Sequence, residues 1–353
     1  MAQHFLLSSK ARTLSLRSVF SMSEERAYAK FKRIRWDATK GRPVCPKCAS
    51  QNHWELIANR KWKCSIASCR TQFSVTSGTI FASRKLEFRK ILEAIAIFTN
   101  GALGVAALRL QREIKVEYKT AWVLAHKLRE AMGIDYLDAY DELNGVVEVD
   151  GAVFGGKPKR IANDPDNWEG LRAASKIEQL AKKRLIVVMR EREDETRERP
   201  ARVRTFHVSK ESDAVPIMRK LVKRGSVVHA DEASQYDSLH GYFDTKRINH
   251  SKSYSDGIAC TNQAESFFSR MRRAERGVYN SIGRGYTSYY ALEMSWREEN
   301  KRRPNGDLFS MILSNALASP ISRRMKGYWQ RHQAENENDP DKAELIRAFK
   351  LGR

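Results

Sequence analysis

The sequence predicts an α/β protein, a mixed sheet with flanking helices preceded by a small cysteine ribbon and a helical segment. Three observations predict it. Four of the five cysteines, Cys45, Cys48, Cys64 and Cys69, fall within 25 residues. Over Tyr118–Met132 the apolar residues recur at i, i+3, i+4 and i+7, the period of a helix with one buried face. From about residue 143 to 305 strand-like and helix-like segments alternate, and two of the strands carry an aspartate near the end.

Residues 1–20 (MAQHFLLSSKARTLSLRSVF) are basic, Ser-rich and free of acids, and they lack the apolar core and cleavage site of a secretory signal. They read as a loose, disordered leader. Residues 21–82 hold the cysteines. Cys45-Pro-Lys-Cys48 presents two thiolates to one ion, and Cys64 and Cys69, with four residues between them, supply a second pair after an interval of 15 residues. With strand-like sequence between, at His53–Leu56 and Lys61–Lys63, the pattern describes a zinc ribbon holding one structural Zn²⁺ in a closed four-sulfur site. His53 is available as a ligand but reads more simply as a surface histidine. Such clustering suits metal binding in a reducing cytoplasm better than scattered disulfides.

Residues 83–140 read as helices, a shorter one at Val105–Gln111 and a longer one at Tyr118–Met132. In the longer one Ala121, Leu124, Ala125, Leu128, Ala131 and Met132 form the buried stripe, with His126, Lys127 and Arg129 on other faces. Two helices, a turn and a basic second helix suit helix-turn-helix recognition of a major groove, with Lys119, Lys127 and Arg129 as DNA contacts. A plain helical hairpin packed on the next domain explains the same pattern.

Residues 141–305 carry the acids. In the strand Asn144–Val153, Val147 and Val149 share one face while Glu148 and Asp150 share the other. Asp231 ends a second compact strand, Ser226–Asp231. Between them lie strand candidates Arg184–Met189 and Arg202–Val208 and a helix, Ser212–Lys223. Acids at strand ends of an α/β sheet sit where ligands bind, although each taken alone is more often a cap or a surface residue. In Thr261–Arg273, Ala264, Phe267, Phe268 and Met271 form an apolar stripe, beside a polar stripe of Asn262, Glu265, Ser269 and Arg272. The 34-residue step from Asp231 to Glu265 leaves room for a helix (Ser234–Gly241), a short strand (Arg247–Ser251) and a loop, so Glu265 can return to face the aspartates. Three carboxylates brought together suit two Mg²⁺ or Mn²⁺ ions, which take hard oxygen ligands; an exposed Glu265 paired with a neighbouring Arg is the alternative. Gly155–Asn167 and Glu191–Pro200 read as loops. Residues 306–353 begin as a helix (Asp307–Ala318) and end as a polar tail.

Lys and Arg total 64 against 42 Asp and Glu, a formal net charge of +22. A surplus of that size favours polyanions through counterion release, so nucleic acid is the leading partner, a bias shared with ribosomal, histone-like and membrane-surface proteins. No apolar run approaches the ~18 residues of a membrane span. Beyond Glu265, Arg272, Arg273, Arg276 and Arg284 are placed to line a DNA channel, and Tyr286, Tyr289 and Tyr290 are placed either to fill a core or to stack on bases.

Taken in order, RIRW (33–36), CPKC (45–48), QFSVTSGTIF (72–81), VEVDGAVFGGK (147–157), VVHADEASQY (227–236), INHS (248–251), TNQAESFFSRMRR (261–273) and YYALEMSWREENKRR (289–303) resemble bacterial insertion-sequence transposases with an N-terminal zinc ribbon and a DDE domain, the ISXO-like group. The resemblance covers roughly residues 20–315. It implies a ribonuclease-H-like catalytic domain with Asp150, Asp231 and Glu265 as catalytic acids and ligands of two Mg²⁺ or Mn²⁺. Arg272 falls where the group has a basic residue contacting phosphate or terminal bases. Some branches replace the third acid by Asn or His, and Asn262, one turn from Glu265, is the alternative third ligand. Double-stranded DNA (transposon ends and target) and a homodimer or higher oligomer on DNA are the implied partners, with no membrane, in the bacterial cytoplasm with the nucleoid. The second cysteine knuckle is two residues longer than usual, Cys260 stands where the group often has His, and the GGK loop leads into a longer polar insertion. A ribonuclease-H-like nuclease or resolvase without strand transfer, and an inactive zinc-ribbon regulator, are the rival readings.

Overall fold

The computed structural model of the chain describes residues 5–134, 142–155, 184–193, 200–231, 234–248 and 260–328. The polar loop beyond Gly155, the centre of the Glu191–Pro200 run, most of INHS and the polar tail lie outside the described residues. In chain order the elements are α1 (Leu16–Phe20), α2 (Glu24–Arg35), β1 (His53–Leu56), β2 (Lys61–Cys64), β3 (Gln72–Phe73), α3 (Phe88–Asn100), α4 (Ala107–Ile114) and α5 (Tyr118–Met132). There follow β4 (Val146–Phe154), β5 (Arg184–Glu191), β6 (Val203–Val208), α6 (Ala214–Leu221), β7 (Val227–Asp231), β8 (Asp244–Ile248), α7 (Asn262–Ala274), α8 (Thr287–Glu299) and α9 (Asn305–Ala318). They divide into two compact units, Met1–Asp135 with Arg302–His332, and Tyr136–Lys301.

The first unit is organised by α3. Every residue from Ile91 to Thr99 is buried, and a helix buried all round must be covered on every side. α1, α2, α4 and α9 supply that cover. Ribbon and helical segment therefore form one unit, and α9 joins it instead of trailing behind the acidic domain. The backbone amides of Phe88 and Arg89, orphans at the start of α3, are capped by the Glu24 carboxylate at 2.9 Å each. Trp36 meets Trp62 edge-on at 5.1 Å, and Phe73 lies 5.9 Å from Trp62, giving the small β1-β2-β3 sheet an aromatic core.

Two expectations are corrected here. Residues 5–20, expected as a loose leader, fold onto the unit: Val19 is buried, and the Asn305 side chain accepts the amides of Thr13 and Leu14 at 2.9 and 2.7 Å while donating to the Leu14 carbonyl. Composition alone does not reveal a distant amide that serves as a backbone partner. Arg129, expected on a DNA-facing surface, is 1% exposed; its guanidinium stacks 5.3 Å from the Phe98 ring centre and donates to the Val105 carbonyl. The reason is that α5 packs against both α4 and α9, so its buried face is wider than the apolar stripe and includes His126 as well. Lys119 is exposed and Lys127 half-buried. α4 runs one turn further than expected, to Ile114, and reverses through Lys115 in the left-handed region (φ 50°).

The second unit is a five-stranded mixed sheet of order β6-β5-β4-β7-β8, with β4, β5 and β6 antiparallel and β4, β7 and β8 parallel. One face packs Val147, Val149, Val187 and Met189 against Ala214, Val215 and Met218 of α6. On the other face Phe268 of α7 meets Phe154 at 5.8 Å, and Ser295 of α8 bonds Thr205 of β6. Among the described residues no helix is long and apolar enough to cross a membrane. Asn305→Ala removes the acceptor shared by two amides and should cost roughly 1–3 kcal/mol locally. Faster tryptic cleavage at Arg12 and Arg17 under native conditions is the expected result, and an unchanged rate would show that residues 5–20 are held by other contacts.

Candidate active site

The ribbon presents four sulfurs. The ligand atoms of Cys45, Cys48, Cys64 and Cys69 all lie within 4.8 Å of one another, with Cys45–Cys69 at 3.7 Å and Cys48–Cys64 at 3.5 Å. A tetrahedron of sulfurs each about 2.3 Å from one Zn²⁺ has edges near these lengths, so the donor set fits a structural zinc ion. Each knuckle closes on a left-handed residue, Ala49 and Arg70. The longer second knuckle is absorbed locally. The Ala49 amide bonds back to Cys45 and the Arg70 amide to Ile66, so Ile66–Cys69 forms the tight turn while Cys64 reaches in from the end of β2. Thr71 bonds the Cys69 sulfur at 3.3 Å. His53 packs its ring against Trp62 and Phe73 and stands outside this cluster.

In the sheet, Asp150 lies mid-strand, since β4 continues to Phe154, but it is level with the end of β7. β4 and β7 pair in parallel with Val146 opposite Val227 and Glu148 opposite His229. Continued by two residues, that register would bring Asp231 level with Asp150 on the neighbouring strand. Glu265 comes from the first turn of α7, where Thr261 donates to its carboxylate at 3.4 Å. Asp150, Asn262, Glu265, Ser266, Ser269 and Arg272 line one open cleft of about 470 Å³. The Asp150 carboxyl is pushed up to about 6, first by burial and then by the charges of Glu265, Glu211 and Asp231, against a 2.7 Å bond from the Gly151 amide. Of the expected acids, Asp150 and Glu265 line this cleft together with Asn262, and the charge of Asp231 acts on Asp150. Arg272, Arg273 and Arg276 are exposed along and beyond α7, whereas Tyr290 is core, 4.4 Å from Tyr279. The side chain of Arg284 lies outside the described residues.

What holds α7 in place is not legible in the sequence alone. Glu148, two residues before Asp150 and on the same face, is fully buried and accepts the Gln263 and Ala264 amides at 2.8 and 3.0 Å, which caps the helix that carries Glu265. Arg192 pairs with it at 3.2 Å. Burial raises the Glu148 pKa against the pull of those amides and of Arg192. Its register partners on both sides do related work. Arg190 on β5 donates to the Gln263 carbonyl at 2.9 Å and pairs with Glu298 of α8 at 2.8 Å. His229 on β7, two residues before Asp231, contacts the Cys260 amide and carbonyl at 3.2 and 3.1 Å. One polar row across three strands thus grips the start of α7, and the next positions along two of those strands carry the aspartates. The repeated spacing, a polar residue two places before each aspartate, is the one sequence signal that points to it.

Glu148→Ala leaves two helix amides and Arg192 without their acceptor, and it should destabilise this unit by about 2–4 kcal/mol. Hydrogen exchange checks the cause: protection of the Gln263 and Ala264 amides should fall well before that of β5, and equal protection in the variant would contradict the capping role.

Comparison with known proteins identifies two domains. Residues 142–299 match the family model of the ISXO2-like transposase domain, and residues 22–72 match the transposase zinc-ribbon domain, together more than half of the chain. A Halobacterium salinarum protein described as "Uncharacterized protein in transposable element ISH50" is 26% identical over 305 residues, covering 84% of this chain and 98% of that relative. A Haemophilus influenzae "Uncharacterized transposase-like protein" is 31% identical over 87 residues, 24% of this chain and 70% of that relative. The chain thus carries an ISXO2-like transposase domain preceded by a transposase zinc-ribbon domain.

Proposed function

We propose that this transposase binds the terminal inverted repeats of its element, nicks the 3′ ends and joins the freed 3′-hydroxyls to target DNA. The reading is supported by the cleft that Asp150, Asn262, Glu265 and Arg272 line, and by the charges of Glu265 and Asp231 acting on the Asp150 carboxyl. Acidic oxygens from two strands and a helix suit hard divalent cations, and burial together with the neighbouring charges raises the Asp150 carboxyl. Two bound Mg²⁺ or Mn²⁺ would supply activation of the attacking oxygen and charge neutralisation at the leaving oxygen of an in-line phosphoryl displacement.

The residues of the chain do the positioning. Asp150, Asp231 and Glu265 would fix those ions relative to the sheet, with Asn262 as the nearby alternative to Glu265. Arg272 would hold a phosphate beside the cleft, its guanidinium seated 5.7 Å from the Phe154 ring centre, and Arg273 and Arg276 would continue the basic track along the DNA. Lys119 and Lys127 are proposed as backbone contacts of the helical segment. The zinc ion would stabilise the ribbon and take no part in the reaction. Handling two ends requires at least a homodimer assembled on DNA.

The test is strand transfer with pre-cut element ends in Mg²⁺, with nicking of uncut ends followed in parallel. Asp150→Asn and Asp231→Asn should each reduce both steps by roughly two orders of magnitude or more. Arg272→Ala should weaken DNA binding and lower its salt slope by about one. Nicking without joining would assign the chain to the nucleases. DNA activities unchanged in both aspartate variants would leave a DNA-binding regulator.

A further inference from the structure

Gly151 follows Asp150 in the interior of β4, a position at which glycine weakens a strand. Its backbone is ordinary for a strand, without a positive φ, so conformation does not require glycine there. Space does. A β-carbon at 151 would lie 2.6 Å from Glu211 Oε1 and 2.9 Å from its Cδ, so the Glu211 carboxylate rests against the bare backbone next to Asp150. Glu211 opens the 3-10 turn Glu211–Asp213 that leads into α6. That turn is fixed by the Asp213 carboxylate, which accepts the Ser209 and Lys210 amides at 3.2 Å each. Strand alternation places position 151 on the α6 face with Val147 and Val149, and Asp150 on the α7 face with Glu148. Glu211 therefore lies beside the backbone next to Asp150, on the side opposite Glu265, and its charge acts on the Asp150 carboxyl.

A second observation points to a ligand between these groups. Tyr236 is 1% exposed and its hydroxyl has no hydrogen-bond partner among the described residues. Burial, and then the charges of Glu211, Asp150 and Asp231 in that order, push this phenol up. A buried hydroxyl close to three carboxylates and bonded to none of them is ready to bond an oxygen that arrives with a cation.

We propose that Glu211 is a fourth carboxylate of the divalent-cation site, sharing an ion with Asp150 from the α6 side of the sheet. This rests on the reading of Asp150 and Asp231 as metal ligands, and the experiment separates the two. Mn²⁺ is titrated into the full-length, zinc-loaded protein without DNA, with heat and the free Mn²⁺ paramagnetic signal as readouts, for wild type, Glu211→Gln, Gly151→Ala and Asp150→Asn. Glu211→Gln, close in shape, should bind Mn²⁺ at least about ten-fold more weakly. Gly151→Ala should show the same loss, because its methyl displaces the carboxylate while leaving the charge on the chain, and it decides the matter should the glutamine variant fold poorly by its melting curve. Wild-type affinity in Glu211→Gln or in a folded Gly151→Ala, together with weakened binding in Asp150→Asn, would overturn the role of Glu211 alone. Wild-type affinity in Asp150→Asn as well would overturn the metal site itself.

Discussion

The carboxylate of Glu148 receives two backbone amides of α7 in the dry interface between that helix and β4. The same strand carries Asp150 two residues on, and the same helix carries Glu265 immediately after the second amide. A single buried group therefore ties the first acid of the cleft to the third through a short path of stiff structure. His229 extends the attachment to β7, and with it to Asp231. This matters because the acids repel one another, and after burial their charges add to the rise in the Asp150 pKa. Left to their own charges they would separate. Strand register and the cap on α7 hold them, and a buried acid that has lost its partners would be costly, so the attachment is kept whole.

Surrounding that attachment is an unusual amount of buried charge for a sheet-helix interface. Arg190 and Glu298 are both nearly inaccessible, Arg270 adds a second cation to Glu298 at 2.7 Å, and Glu293 accepts from Arg297 and Tyr279 on or beside α8. Replacing such pairs by apolar residues often costs nothing in stability, so their use here is better read as fixing direction. A hydrophobic contact tolerates sliding by a fraction of a turn. A carboxylate that must meet two amides and a guanidinium does not. The cleft needs its third acid at one place on the helix, and directional bonds supply that.

Periodicity and spacing carried the parts of this fold that obey one-dimensional rules. The cysteine pairs, the alternation of Val147 and Val149 with Glu148 and Asp150, and the stripe on α7 all follow from local repeats, and each appears in the structure. Groups whose role depends on a distant partner were not legible. Arg129 looked like a surface base because nothing local announces that α9 covers its helix. Asn305 sits nearly three hundred residues from the amides it accepts. Glu211 draws no attention in the sequence, and its neighbour is set by the missing side chain at Gly151 on a distant strand. Such long-range pairings are set by topology, and topology was readable here only as an order of strands and a family resemblance.

The claim on which the functional account turns is that Asp150, Asp231 and Glu265 bind divalent metal together. Crystals of the protein grown or soaked with Mn²⁺ and measured at the manganese absorption edge would test it directly. The account predicts anomalous density in the cleft within coordination distance of the carboxylates of Asp150, Asp231 and Glu265, with two peaks about 4 Å apart at full loading. Manganese bound elsewhere, with those three carboxylates in place and no peak between them, would contradict it.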